Sequence, residues 1–177
     1  NAETTLSGEE CDLTDNTSSV TKTFDFIIAR SPLVVDIDRD GVELVSLNNG
    51  VLFDMTLDGK ADKTGWVAAD DGLLVLDRNK DGTINDASEL FGTDTIDGFT
   101  ILTQYDSNGD GAINALDDVF ADLLIWQDVN QDGVSQGSEL IALDALGVAS
   151  ISLGATETLV FREDNIITHL SEITYAD

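Results

Sequence analysis

From residue 33 onward the chain sets short apolar runs between turns rich in Asp, Asn and Gly. Leu33 to Val35, Val42–Leu47, Val51–Phe53, Trp66–Ala69 and Leu73–Leu76 have the length and residue types of strands, and Phe24 to Ala29 reads as another ahead of them. The pattern changes near residue 98. Phe99–Tyr105 and Leu116–Trp126 carry helical spacing, with Leu116, Val119, Phe120, Leu123 and Leu124 on one face. Glu139–Leu146 reads as a further helix, closed by Gly147. Val148–Leu153, Leu159–Arg162 and Ile166–Ser171 return to strand chemistry. The expected fold class is α+β: a β-rich N-terminal lobe with Asp-rich loops, an EF-hand-like loop–helix–loop–helix pair over 106–146, and a β C-terminal segment. Residues 1–22, rich in Thr, Ser, Glu and Asp, read as a linker or edge segment, and 23–177 as one domain.

Charge sharpens this picture. Eight Lys and Arg face 35 Asp and Glu, a formal net charge of −27 in 177 residues. Such an excess opposes compaction and disfavours nucleic acid and anionic membranes as partners. The carboxylates are mostly Asp, clustered with Gly and Asn, as in cages for a hard cation. One cysteine, Cys11, excludes an internal disulfide. No apolar run reaches membrane-span length and no signal peptide is visible. These features fit a fragment of a larger exported bacterial protein, with cations in place of disulfides.

Five loops carry the candidate chemistry. Asp128, Asn130, Asp132, Gly133, the carbonyl of Val134 and Glu139 occupy positions one, three, five, six, seven and twelve of a calcium loop. Asp106, Asn108, Asp110, Gly111, the carbonyl of Ala112 and Asp117 repeat the spacing with the shorter Asp at position twelve. Asp77, Asn79, Asp81, Gly82 and Thr83 match the first half, with Glu89 one residue late. Asp36, Asp38, Asp40 and Gly41 match as well, but Leu47 stands at position twelve. Asp54, Asp58, Gly59 and Asp62 form the loosest version. Asp70 and Asp71 lie between apolar segments, where unpaired carboxylates are costly, and are candidates to complete an irregular shell. The alternative for the irregular loops is a plain Asx turn. The expected cofactor is Ca²⁺, several ions per chain.

Trp126 reads as core, and Trp66 as either core or the floor of a binding site. His169 has no second His or Cys with which to share a metal, and Cys11 has no evident base partner. No phosphate-binding Gly loop and no nucleophile elbow is present.

The stretches SPLVVDIDRDG, TGWVAADDGLLVLDRNKDG, ASELFG, YDSNGDGAINALDD and WQDVNQDGVSQGSEL together resemble the self-processing modules of RTX proteins, over residues 31 to 150. That resemblance implies a calcium-dependent module that cuts itself at an Asp-Pro bond. Here the only proline, Pro32, follows Ser31, which has no carboxylate to attack its own carbonyl. A domain that is not an enzyme is therefore expected, similar to non-cleaving domains of giant RTX adhesins on the bacterial surface. Those imply capture of the C-terminal ends of host or neighbouring cell-surface proteins through an exposed Ca²⁺, with Trp66, Asp70 and Asp71 as first candidates for ligand contact. A monomer flanked by other domains of a secreted adhesin is the expected setting. A purely structural calcium module and a residual self-processing enzyme are the alternatives.

Overall fold

The computed structural model describes residues 32–93 and 95–176. The segment 1–22, the strand expected at Phe24–Ala29, Cys11 and Ser31 lie outside the described residues.

Thirteen short strands carry the described residues: β1 (Val34–Val35), β2 (Leu44–Val45), β3 (Val51–Phe53), β4 (Asp62–Thr64), β5 (Trp66–Val67), β6 (Gly72–Leu76), β7 (Ala112–Asn114), β8 (Leu123–Trp126), β9 (Leu140–Ala142), β10 (Val148–Ser152), β11 (Thr156–Arg162), β12 (Asn165–Leu170) and β13 (Ile173–Tyr175). The single α-helix described, α1, spans Gly98–Leu102 and runs on into a 3₁₀ turn, Thr103–Tyr105. The central sheet has the order β1-β6-β8-β9, and a second sheet the order β13-β10-β7. Three two-stranded ribbons, β2–β5, β3–β4 and β11–β12, complete the set, and all these pairings are antiparallel.

The α+β expectation is therefore overturned: the protein is mostly β, and the EF-hand-like helix pair over 106–146 does not form. The helix expected at Leu116–Trp126 is instead a turn followed by β8, with Leu116 74% exposed. The helix expected at Glu139–Leu146 is β9 and a turn. The cause lies in burial on both faces of the central sheet. Leu123 and Ile125 point into one core with Leu74, Phe91, Leu102, Ile113 and Ile151. Trp126 and its cross-strand neighbour Leu73 point into the other, with Val51, Phe53, Trp66, Val67 and Val75. A strand buried on both sides reads as a continuous apolar run, which periodicity cannot separate from a helix face. β6 and β8 therefore form the wall between two cores, and the Asp36, Asp77 and Asp128 loops follow β1, β6 and β8 of this sheet.

Candidate functional site

The five Asp-rich loops share one backbone design. In each, the first Asp accepts hydrogen bonds from main-chain N–H groups of its own loop. Asp36 takes those of Arg39 and Gly41 at 2.7 and 3.1 Å. Asp54 takes Leu57 and Gly59 at 2.7 and 2.8 Å. Asp77 takes Asp81 and Gly82 at 3.2 and 2.8 Å, and Asp106 takes Gly109 and Gly111 at 2.7 and 2.9 Å. Asp128 takes Asp132 and Gly133 at 3.1 and 2.9 Å. The fourth residue of each loop (Arg39, Leu57, Lys80, Gly109, Gln131) has positive φ, and so does the glycine at the sixth. Four non-glycine residues in this region are uncommon, so a shared constraint shapes the loops. In the Asp36 loop the carboxylate oxygens converge: one oxygen each from Asp36, Asp38 and Asp40 lies within 4.8 Å of the others.

The far ends of the loops differ. Glu89 is 2% exposed; one oxygen, Oε2, accepts from Asn85 N–H at 2.8 Å, while Oε1 is buried with no partner. Burial first, and then the charges of Asp77, Asp81 and Asp86, push its carboxyl above the usual carboxylate range against the Asn85 hydrogen bond. Glu43 also has a buried, unpartnered oxygen, Oε2. Its carboxyl is raised by burial and then by Asp40, Asp71, Asp70 and Asp38. An orphaned anionic oxygen beside like charges is costly without a cation. Hard-cation chemistry fits this donor set, which is anionic and made of oxygens only.

Asp71 is fully buried, accepts from Ile37 and Glu43 N–H at 3.3 and 2.7 Å, and so clamps the Asp36 loop. Burial raises its carboxyl, with Asp36 and Asp70 adding to the rise and the two hydrogen bonds opposing it. Asp38 is also raised, by desolvation and then by the charges of Asp40 and, least, of Asp70, against a hydrogen bond from the Asp40 N–H. Asp117, at the end of the Asp106 loop, is held low chiefly by hydrogen bonds from Asn114 and Ser107, with burial opposing them. Hydrogen bonds likewise hold Asp81 and Asp110 low.

The Asp128 loop is the most deeply set. Asp128 is 0% exposed, and its Oδ2 accepts from the Trp66 indole N–H at 2.8 Å as well as from Gly133. Glu139 Oε2 accepts from Trp126 Nε1 at 3.4 Å and from Gln136 N–H at 3.3 Å. The two indoles meet edge to face at 5.3 Å, with Phe53 against both. Trp66 is thus packed in the core and bonded to the Asp128 loop, while Asp71 is bonded to the Asp36 loop and Asp70 is exposed beside it in sequence.

Asn79, Asn108 and Asn130 each accept from, or donate to, the Asp two residues on. Thr83, Ala112 and Val134 follow the position-six glycines, and their N–H groups donate to Asp81, Asp110 and Asp132. Asp58 is exposed beside Lys60 at 3.6 Å, and exposed Asp62 pairs with Phe53 across β3 and β4. A groove of about 480 Å³ opens between the Asp54, Asp77 and Asp128 loops, with Leu52, Asp54, Ile84, Asp86, Gly133 and Val134 among its lining. Glu43 escaped the reading of the sequence. It stands at position eight of its loop, inside an apolar run, where a charged residue was itself the available signal.

A family described as "SPM domain" matches residues 33–177. The iron-regulated protein FrpA of Neisseria meningitidis serogroup C is 47% identical over 132 residues, covering 69% of this chain and 12% of FrpA. The chain thus spans about an eighth of the length of that curated relative.

Proposed function

From the SPM domain family, to which this chain belongs, we propose that it works as a calcium-dependent domain of a secreted, RTX-like bacterial protein. The observation that carries this reading is Glu89 Oε1, a buried oxygen without a partner, beside Asp77 and Asp81. Asp77, Asn79, Asp81, the Thr83 carbonyl and Glu89 would hold one ion. Asp36, Asp38, Asp40 and Glu43, with Asp70 beside them, would hold another. Asp128, Asn130, Asp132, the Val134 carbonyl and Glu139 would hold a third, and the Asp106 and Asp54 loops supply the remaining candidates. Bound Ca²⁺ supplies positive charge where the fold concentrates negative charge, so binding energy becomes folding energy.

Self-cleavage is not part of the proposed activity, because Ser31 before Pro32 offers no carboxylate nucleophile. Capture of a peptide C-terminus is the finer reading, and the groove beside the Asp54 loop favours it. That loop has Gly65 at position twelve, so an ion there would keep open coordination positions for a carboxylate. The partners would be C-terminal tails of host or neighbouring surface proteins.

Calcium titration calorimetry on the wild-type chain and Glu89→Gln tests the main reading. Removing one ligand charge should lower the affinity of one site by roughly 10-fold or more. Wild-type protein that takes up no Ca²⁺ at millimolar concentration contradicts it. For the finer reading, peptides with a free C-terminus should bind in Ca²⁺ and amidated ones should not; equal binding rejects carboxylate capture.

A further inference from the structure

Three of the five loops are joined in a closed circuit. Ser135, at position eight of the Asp128 loop, is buried; its Oγ accepts from Ile84 N–H at 2.6 Å and donates to the Ile84 carbonyl at 3.3 Å. Ile84 holds position eight of the Asp77 loop, and the next residue, Asn85, binds Glu89 through its N–H. The chain then reaches Asp86, which bridges to Asp54, and Ala87 N–H donates to the Asp54 carbonyl at 3.0 Å. Asp54 follows Phe53, whose ring packs on Trp66 and Trp126 at 5.4 and 5.5 Å. Their indoles return to Asp128 and Glu139. Gly133 closes the ring from inside: a Cβ there would lie 2.7 Å from the Leu52 carbonyl, so the Asp128 loop sits directly on β3.

The other two loops are braced differently. The Asp36 loop is clamped by Asp71, and the Asp106 loop closes on itself through Asp117. Neither shares a ligand residue or a position-eight contact with the circuit among the described hydrogen bonds.

We propose that the Asp54, Asp77 and Asp128 loops hold and release their ions as one cooperative unit, coupled by the Ser135–Ile84 pair and by the Trp66 indole on Asp128. The inference rests on the calcium reading above. Ser135 is a positioning residue: it provides no ligand atom in the loop scheme, and it fixes where the position-seven carbonyls of Thr83 and Val134 stand. An ion in one loop sets that main chain, and the paired main chain of its neighbour is set with it. Trp66 does the same for the first ligand of the Asp128 loop.

Native mass spectrometry of the calcium-loaded full chain, with stepwise chelation, counts ions per molecule directly. The Asp36 and Asp106 ions should leave singly, with the compact charge-state envelope retained. The circuit should then lose three ions together, so that its partly emptied forms stay scarce. In Ser135→Ala these partly emptied forms should rise by about 10-fold, the loss of roughly one hydrogen-bonded coupling. Ser135→Thr, which keeps the hydroxyl, should behave as wild type, and Trp66→Phe should release the Asp128 ion first. Wild-type loss of every ion one at a time overturns the proposal. Loss of all ions in a single unfolding step also overturns it, since global folding would then set the cooperativity. Ser135→Ala indistinguishable from wild type removes Ser135 from the coupling. Wild-type protein with no bound ions would sink the calcium reading itself, a separate failure.

Discussion

At the scale of single residues, the fold places anions where water cannot reach and gives them donors of two kinds. Asp128 is satisfied by main-chain N–H groups and an indole, whereas Glu89 and Glu43 each keep an oxygen with nothing to bind. Asp128→Ala would leave Trp66 Nε1 and Gly133 N–H unpaired in the interior. It should cost at least about 2 kcal/mol, read from urea midpoints in saturating Ca²⁺. Acid should act in the opposite sense. The carboxyls of Glu43, Asp71 and Glu89 sit above their ordinary values in the fold, so folding takes up protons. In calcium-free buffer the folded state should therefore gain as pH falls from neutral toward the ordinary carboxylate range near ~4. Near-UV circular dichroism should show partial recovery of structure at pH ~5 relative to pH ~7. With Ca²⁺ present the trend reverses, because protons compete for the ligands. The first halves of the loops were legible from Asp, Asn and Gly spacing alone. Glu43 was not, since one acidic residue inside an apolar run does not by itself show that its oxygen will be buried without a partner.

At the scale of elements, the β6 and β8 runs show where pattern reading fails. LLIW at Leu123–Trp126 pairs with Leu73–Leu76 on one side and Leu140–Ala142 on the other, and both faces are buried. A helix built on the same residues would have placed Leu116 in the core, yet Leu116 is exposed. The strands at Val51–Phe53, Leu73–Leu76 and Val148–Ser152 were legible because Gly and Asp turns bound them closely. The helix reading failed between the two best loops because acidic loops flank helices in one common arrangement and strands in this one. Ile125→Ala should cost about 2–5 kcal/mol, whereas Leu116→Ala should change stability by less than ~0.5 kcal/mol. Chemical denaturation of the two variants in Ca²⁺ separates the arrangements. Comparable losses at both positions would contradict the strand assignment.

At the scale of the whole molecule, a net charge of −27 is spread over a small β-protein with two modest cores. The family was legible in the sequence, because the DIDRDG, DRNKDG, DSNGDG and DVNQDG loops and the ASELFG stretch stand together in one chain. The site follows the order of the loops less simply, since the chain folds the second, third and fifth loops onto one another. Ser31 sets a further expectation: incubated with Ca²⁺, the 18.9 kDa chain should stay uncut at Ser31–Pro32, as intact mass would show. Appearance of a fragment beginning at Pro32 would restore the self-processing reading. The central claim is that calcium offsets the self-repulsion of the loops and so holds the native packing together. Near-UV circular dichroism at neutral pH tests it most directly, because Trp66 and Trp126 are packed edge to face beside Asp128 and Glu139. Excess chelator should abolish their fine structure and added Ca²⁺ should restore it; a spectrum unchanged by chelation would contradict the account.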